Sequence, residues 1–252
     1  DCISPFCFIF RMLIKTSGIV FKTKKYSETS VITDIFTEEK GLRSYIVSGV
    51  RTQKARVSAG LLQIMSPVEI VAYHREDQDL TRLKEIKALH VYRSIPFDFR
   101  RGAVGMFMVE IARKTIQGHE AHPELFRFLL DYFVFLDETT QPFSNLHLHF
   151  MLGLTEFLGF QPSGEHDEQT PFFDLQEGYF VEQAPSHSHF LRADLSEKLS
   201  RLLHLPKERS HEVLLHREER KALLRSLLDF FRWHIEHFPP IHSHEVLEEV
   251  LS

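Results

Sequence analysis

Histidine is the residue type with the widest capacity for chemistry in this chain, so its spacing is the first question. The chain has 16 histidines among 252 residues. His147 and His149 are two positions apart on a predicted helix and therefore face different ways. His234 and His237 are three positions apart with Glu236 between them, which is not the HExxH pattern of a zinc protease. These histidines are better explained as surface or interface groups.

Other catalytic motifs are missing from the sequence as well. It has no Walker A loop and no GxGxxG after a predicted strand, so a phosphate cradle is lacking. It has no GxSxG motif, and its two cysteines, Cys2 and Cys7, both precede the predicted fold. Acidic pairs such as Glu218 and Glu219 fit a solvated helix better than an acid/base pair. The sequence therefore predicts a protein that is not an enzyme.

Cations and two tyrosines near the front of the chain are the strongest candidates for binding chemistry. Long cationic side chains reach phosphates, an arginine can also lie flat on a base, and bases stack on aromatic rings. Tyr45 should share a strand face with Arg43, because the two are two positions apart. The predicted DNA-binding residues are Lys22, Lys24, Lys25, Tyr26, Arg43, Tyr45, Arg51, Lys54 and Arg56. The alternative is that Lys22 to Lys25 only keep an edge strand soluble and that Tyr45 belongs to the core.

The charge distribution supports a localised binding surface. The formal net charge is −5, which argues against a uniformly basic nucleic-acid binder. Residues 12–90 hold 13 lysines and arginines against 9 acidic residues, whereas residues 91–252 hold 16 against 25. A basic front module on an acidic body points to interaction partners of opposite charge.

The front of the chain has the pattern of short strands. We predict strands over 14–24, 31–36, 42–48, 68–73 and 80–89, with Gly41 in a hairpin loop where a positive φ is expected. The segment 49–56 is a basic loop without apolar periodicity. Five short strands within about 75 residues favour a small barrel, since closure removes exposed sheet edges.

The apolar period changes to that of helices after residue 96. Helices are predicted over about 104–115, over a segment that begins near Pro123, and over 145–158 with Gly159 as a left-handed C-cap. Further helices are predicted over 194–204 with Asp194 as N-cap, over 210–215 with Ser210 as N-cap, and over 216–238. A last short helix could be capped by Ser243. The segment 161–190 lacks a helical period and contains a β-hairpin over 172–181.

Compartment and domain boundaries follow from composition. Two cysteines in the first ten residues cannot cross-link the folded body, so a reducing compartment is expected. No apolar run approaches the roughly 18 residues of a membrane span, and no membrane partner is expected. We expect residues 1–11 to be an upstream segment with Met12 as the natural start. The predicted domains are 12–92 and 93–252, the second with a hairpin insertion at about 161–190.

The sequence resembles the bacterial recombination mediator RecO over nearly all of residues 12–250. The residues that carry the resemblance are Gly18-Ile19-Val20, Tyr26-Ser27-Glu28, Phe36-Thr37, Gly41, Gly49-Val50-Arg51, Lys54-Ala55-Arg56, Leu62-Gln63, Gly159-Phe160-Gln161-Pro162 and Asp174-Leu175-Gln176-Glu177-Gly178-Tyr179-Phe180. The resemblance implies an α+β protein, with an N-terminal OB-fold β-barrel followed by an all-α C-terminal domain that contains a small β-hairpin.

The same resemblance implies a function. Proteins of the RecO family bind single- and double-stranded DNA and anneal complementary strands. They pair with RecR, touch the C-terminal tail of single-strand-binding protein, and so help to load RecA. A cytoplasmic, nucleoid-associated location follows. The helical domain should then hold the acidic, Phe-ended tail in an apolar groove beside a cation. Candidate cations are Arg113, Lys114 and Arg127, which could equally be solvated charges.

One departure from the family concerns zinc. Many RecO-like proteins carry a four-cysteine zinc site beside the hairpin, and this hairpin region has no cysteine. We therefore expect no cofactor. His166, Asp167, His187 and His189 lie near the place of such ligands, and two histidines plus a carboxylate can hold zinc. The alternative, which we prefer, is that they are solvated loop residues.

Two other functional classes remain open at this point. One is a metal-dependent hydrolase or nuclease that uses the His-rich back half, which metal analysis and a chelator-controlled nuclease assay would reveal. The other is a peptide-binding scaffold whose barrel holds protein instead of DNA. Salt-dependent binding to an oligonucleotide separates the scaffold from the DNA-binding protein.

Overall fold

A computed structural model describes residues 12–50, 58–74, 78, 80–116 and 118–251 of the chain. The chain forms two compact units. The barrel unit comprises Asp1–Val91 and Gly118–Leu130, and the helical unit comprises Tyr92–Gln117 and Asp131–Ser252. The domain division at residue 92 that we predict from the sequence stays a prediction.

The barrel unit contains five strands that close on themselves. They are β1 (Met12–Lys25), β2 (Val31–Thr37), β3 (Gly41–Val47), β4 (Pro67–His74) and β5 (Leu80–Ala88). Their order around the barrel is β1-β2-β3-β5-β4. The long strand β1 pairs with β4 through its first half and with β2 through its second half. The predicted five-stranded barrel is confirmed.

The inward-facing side chains of all five strands fill the barrel. They alternate with outward-facing ones along each strand, as the period of two requires. The core is apolar apart from the hydroxyl of Tyr45 and consists of Ile14, Val20, Val31, Ile35, Tyr45, Val47, Val50, Leu62, Val68, Ile70, Ala72 and Leu83. Each fully buried side chain of this size contributes about 1.5–3 kcal/mol by leaving water.

The turn between β2 and β3 depends on a glycine. Gly41 has a φ of 62°, a left-handed conformation that costs other residues about 1–2 kcal/mol. A Cβ atom at this position would lie 2.3 Å from the carbonyl oxygen of Glu120, in the same unit. The hydroxyl of Thr37 donates a hydrogen bond of 2.9 Å to the Gly41 carbonyl and stabilises the turn.

Within the described residues, the helical unit contains five whole helices, the second half of a sixth and a small sheet. The helices are α1 (Phe99–Thr115), α2 (Pro123–Glu138), α3 (Leu146–Leu158), α4 (Ala193–His204), α5 (Arg217–His234) and α6 (Ser243–Val250). Helix α2 contributes residues 123–130 to the barrel unit and 131–138 to the helical unit. The strands β6 (Phe172–Asp174), β7 (Tyr179–Val181) and β8 (Phe190–Leu191) form a sheet in the order β7-β6-β8. The predicted hairpin is confirmed, and β8 adds a strand to it.

Two predicted helices differ from the structure. The helix predicted over 210–215 is wrong, because residues 210–212 end a short 3-10 helix, Lys207–Glu212, and residues 213–215 follow it without helical structure. Ser210 is buried inside it, and its carbonyl and that of Val213 accept hydrogen bonds of 3.0 and 2.8 Å from the Asn145 amide. Helix α5 ends at His234, four residues before the predicted end, because Ile235 is already extended.

Two predicted N-caps are also wrong by one or two positions. Asp194 lies within the first turn of α4, after the cap residue Arg192. Ser243 is the first residue of α6, after the cap residue His242. In both helices an acidic side chain still lies in the first turn, where it interacts favourably with the helix dipole.

A buried carboxylate fixes the segment that leads into α1. Asp137 is only 2% exposed, and its oxygens accept hydrogen bonds of 2.8–3.1 Å from the backbone N–H groups of Arg93, Ser94 and Ile95. The Arg101 guanidinium donates to the carbonyls of residues 136 and 139 and lies over the ring of residue 143. These interactions hold the backbone before α1 in one conformation.

We predict that Gly41→Ala destabilises the barrel unit more than Gly49→Ala does. Gly49 also has a positive φ, of 74°, but its added Cβ would meet no atom of the described residues within 4 Å. The Gly49 variant should therefore lose only the conformational term of about 1–2 kcal/mol, and the Gly41 variant about 1–3 kcal/mol more, because of the overpacking against Glu120. Urea unfolding followed by circular dichroism measures both, and equal losses would contradict the close approach at Gly41.

Candidate nucleic-acid interface

Four neighbouring strands place one row of side chains across the outer surface of the barrel. Lys24 on β1 pairs with Ile32 on β2, Ile32 with Ile46 on β3, and Ile46 with Arg82 on β5. The two cations at the ends of the row are exposed, and the two isoleucines between them are half-buried. The row therefore presents an apolar centre between two positive ends, and we call it the cationic row.

A second row lies beside the cationic row. It runs from Lys22 through Asp34 and Ser44 to Leu80. The Asp34 carboxylate accepts a hydrogen bond of 2.6 Å from the Ser44 hydroxyl, which lies beside it on β3. Lys22 is exposed on the same side of β1 as Lys24, because the two are two positions apart.

On the other side of the barrel, two lysines form salt bridges with one carboxylate. Lys15 and Lys87 lie 3.0 and 2.9 Å from the carboxylate of Glu69. Hydrogen bonds from Lys87 and then from Lys15 lower the pKa of this carboxyl group. Among the residues the structure describes, no carboxylate lies within 4.0 Å of the cationic groups of Lys22, Lys24, Lys25 and Arg82. The barrel thus has one side with paired cations and one with unpaired cations.

Arg82 was missed by the sequence reasoning, which considered only residues 22–56. A signal for it exists in the sequence, because Arg82 precedes Leu83 and must face away from the core when Leu83 faces inward. Its position beside Ile46 depends on the parallel pairing of β3 with β5. That pairing joins residues far apart in the chain and is not visible from local pattern.

The two tyrosines predicted to stack on bases, Tyr26 and Tyr45, lie in different environments. Tyr26 is 59% exposed in the turn after β1, where backbone hydrogen bonds from Tyr26 and Ser27 to Ser30 order the chain. The prediction that Tyr45 offers a ring to a base is wrong. Its side chain is 1% exposed in the barrel core, and burial raises its pKa to about 12.

Of the remaining predicted DNA-binding residues, the structure describes only Arg43, which lies near the start of β3. The guanidinium group of Arg43 donates hydrogen bonds of 3.2 and 3.5 Å to the carbonyls of Lys40 and His119, all in the barrel unit. Arg43 is therefore tied to the hairpin end of the strand. Arg51, Lys54 and Arg56 fall outside the described residues and stay predictions.

The three cations predicted to hold a partner peptide are not equivalent. Lys114 donates hydrogen bonds to Glu110, at 2.6 Å, and to the carbonyl of Pro240. Burial by itself would raise the pKa of Glu110, but hydrogen bonds from Lys114, Ser243 and the backbone of His242 lower it to about 2. This carboxylate thus anchors the start of α6, and Lys114 is not available as a free cation.

Arg113 and Arg127 differ from Lys114. Arg127 lies on the part of α2 that belongs to the barrel unit, and its Nε atom is 3.7 Å from the carboxylate of Glu38. Arg113 lies on α1 in the helical unit and is half-exposed. Only Arg113 therefore remains as a peptide-binding candidate in the helical unit.

The residues near the hairpin do not fit a zinc ion. The Asp167 carboxylate accepts hydrogen bonds of 2.7 Å from the backbone of Gln169 and Thr170. His187 lies 3.2 Å from Asp174. Across the described part of the chain, no three His, Cys, Asp or Glu side chains could hold one metal ion. The expectation that the protein has no cofactor stays a prediction, which elemental analysis of the purified protein would test.

The strand order of the barrel unit is that of an OB-fold. In many proteins this five-stranded barrel binds oligonucleotides or oligosaccharides. Two family models then cover most of the chain. "Recombination protein O N terminal" matches residues 12–92, and "Recombination protein O C terminal" matches residues 96–244. The chain belongs to the RecO family, which has a role in DNA repair and recombination. This membership agrees with the prediction that the protein is not an enzyme.

Curated relatives match the chain over nearly its whole length. The "DNA repair protein RecO" of Phocaeicola vulgatus is 34% identical over 241 residues, which cover 96% of this chain and 100% of the relative. The protein of the same name from Bacteroides fragilis is 32% identical over 242 residues with the same coverage. Both names agree with the RecO resemblance found in the sequence.

Similarity to solved structures is weak. Asparaginyl-tRNA synthetase of Entamoeba histolytica, in complex with asparaginyl-adenylate, matches with a TM-score of 0.27 and 11% identity. The match covers 67% of this chain and 38% of that chain, and a TM-score this low does not establish a common fold. Separately, none of the helices within the described residues is both long and apolar enough to cross a membrane.

We predict that Tyr26→Ala weakens binding of a single-stranded oligonucleotide, whereas Tyr45→Phe leaves it unchanged. Loss of an exposed stacking ring costs about 1–3 kcal/mol per base, and phenylalanine keeps the buried ring of residue 45. Fluorescence anisotropy with a labelled oligonucleotide measures both affinities. If the Tyr45→Phe variant binds the oligonucleotide more weakly at unchanged stability, Tyr45 does belong to the DNA-binding surface.

Proposed function

We propose that this protein is a non-catalytic mediator of DNA repair and recombination that binds single- and double-stranded DNA. It anneals complementary strands and, together with RecR, helps to load RecA onto DNA coated with single-strand-binding protein. Membership of the RecO family supports the general role. The charge arrangement of the barrel supports DNA as the ligand.

The observation that carries the proposal is the unequal pairing of cations on the barrel. Lys15 and Lys87 share the carboxylate of Glu69, so their charges are largely compensated. The exposed cations of the other side, including Lys24 and Arg82, remain available to phosphates. A protein that neutralises phosphates releases condensed counterions, which drives binding at low salt. DNA should therefore lie along the unpaired side.

The cationic row also favours binding that does not depend on sequence. The side chains of Ile32 and Ile46 offer apolar surface to sugars and base faces, and Tyr26 offers a ring. None of these groups reads the hydrogen-bonding edge of a base, and phosphate contacts carry no sequence information. Annealing follows because one positive surface lowers the repulsion between two strands. A protein with this function works in the cytoplasm on the nucleoid.

The helical unit is the proposed site of protein contacts. An acidic, Phe-ended tail of single-strand-binding protein needs an apolar surface and a cation beside it. Of the neighbours Arg113 and Lys114, Arg113 is the proposed cation, since Lys114 is bound to Glu110. RecR is proposed as a partner from the family resemblance alone.

We predict that the double variant Lys22→Ala, Lys24→Ala binds single-stranded DNA more weakly and with a flatter salt dependence. Each phosphate contact contributes about 0.7 to the slope of log K against log salt on single strands. Loss of two contacts should therefore reduce the magnitude of the slope by about 1.4. Titrations of a labelled oligonucleotide at several salt concentrations give the slope.

The matched control is Lys15→Ala, Lys87→Ala, which removes two lysines from the same barrel. Because those lysines are paired with Glu69, the slope should stay close to that of the wild type. Annealing of complementary oligonucleotides, with and without a coat of single-strand-binding protein, should follow the same order of variants. Equal slopes for both double variants and the wild type would refute DNA binding along the unpaired side.

We also predict that Arg113→Glu weakens binding of a labelled peptide with the acidic, Phe-ended sequence of the partner tail. Reversing one charge next to an acidic peptide replaces an attraction by a repulsion. We expect at least a fivefold loss of affinity, about 1 kcal/mol. Lys221→Glu, elsewhere in the helical unit, provides a control of the same charge change. If both variants bind the peptide as tightly as the wild type, Arg113 is not its partner.

A further inference from the structure

Two phenylalanines in front of α1 are unusually exposed. Phe97 is 87% exposed and Phe99 is 74% exposed. No other Phe, Tyr or Trp side chain in the described part of the chain reaches these values, and the next is Tyr26 at 59%. Phe97 and Phe99 are two positions apart in the chain, and a contiguous exposed apolar patch is typical of an interaction site. The two rings belong to the helical unit.

The backbone that carries the two rings is firmly held. Ile95 is buried, and its N–H group donates to the buried carboxylate of Asp137. Asp98, between the two rings, caps α1 by accepting hydrogen bonds of 2.9 and 3.3 Å from the N–H groups of Arg100 and Arg101. The rings are therefore presented on ordered backbone, which lowers the conformational entropy that this segment of the protein would lose when a ligand binds.

The surroundings of the rings carry positive charge. Arg93 and Arg100 are exposed, and neither has a carboxylate within 4.0 Å among the residues that the structure describes. The carboxylate of Asp98 is occupied by the helix cap and by Arg101, at 3.4 Å.

Exposed rings between unpaired guanidinium groups match the chemistry of single-stranded nucleic acid. Bases stack on aromatic faces, and arginines contact the backbone or stack in their turn. We propose that Arg93, Phe97, Phe99 and Arg100, here called the Phe97–Arg100 patch, form a second binding surface for single-stranded DNA. This inference rests on the proposed function, which makes DNA the polyanion that the protein meets.

The consequence is that each unit carries its own contact with a single strand. The barrel unit holds phosphates mainly through lysines of β1, and the helical unit holds bases on two rings. The cationic row lowers the repulsion between two strands, and a second contact surface would let one molecule hold both strands at once. The patch thus adds a place for the second strand to the charge screening that the barrel unit provides.

The test compares variants of the full chain in oligonucleotide binding at several salt concentrations. Phe97→Ala, Phe99→Ala should reduce affinity for a single-stranded oligonucleotide by at least about fivefold, with an unchanged salt slope, because the rings carry no charge. Arg100→Ala should flatten the slope by about 0.7. Tyr179→Ala removes another exposed ring of the helical unit and should leave the affinity unchanged.

Conservative variants separate base stacking from other roles. Phe97→Tyr, Phe99→Tyr keeps two aromatic faces and should bind like the wild type. Phe97→Leu, Phe99→Leu keeps apolar surface without a ring and should bind as weakly as the alanine variant. Wild-type affinity in the leucine variant would assign the patch to an apolar protein contact and overturn the proposal. Circular dichroism melts confirm that the variants are folded.

Photocrosslinking provides a direct readout. An oligonucleotide with 5-iodouracil should crosslink to the tryptic peptide Ser94–Arg100, which contains both rings and no other aromatic residue. Suppose that the wild type binds DNA with a salt-dependent affinity, that the alanine variant has the same affinity, and that this peptide is never crosslinked. The patch is then not a DNA contact, and the proposal that the barrel binds DNA stands. If the wild type shows no salt-dependent binding at all, both proposals fail.

Discussion

The short parallel pairing between β3 and β5 is the interaction on which the barrel unit depends. It joins Ser44 with Leu80, Tyr45 with Thr81, and Ile46 with Arg82, and it is the parallel contact among antiparallel neighbours. Closure fixes which side of each strand faces inward. It therefore decides at once that Tyr45 fills the core and that Arg82 completes the outer row that starts at Lys24.

Local sequence pattern predicted most of the helices and strands but not which face of a strand is buried. Alternation predicted β3, and a period near 3.6 predicted α1 and α3, with Gly159 at a φ of 81° as the expected C-cap. The prediction for Tyr45 was wrong because alternation shows that successive side chains face opposite sides of the strand, but not which of the two sides faces the core. Both faces of β3 mix polar and apolar residues, so only the barrel closure distinguishes them.

The charges of the helical unit show a second limit of sequence reasoning. Glu110 and Asp137 are remote in the chain from the backbone groups that they bind at the start of α6 and before α1. Each satisfies N–H groups that a helix start or a turn leaves without partners. A lysine such as Lys114 then becomes part of a structural network. No local signal distinguishes it from Arg113, its immediate neighbour on the same helix.

A closed sheet also limits how the barrel unit can recognise anything. Because each of the strands β1 to β5 has a paired neighbour on both sides of the closed ring, the described barrel has no outermost strand to which a visiting polypeptide could add another. Recognition must then pass through side chains that project from the wall. Such a surface is suited to a repetitive polymer, on which the protein can shift from one equivalent position to the next without breaking a fixed register.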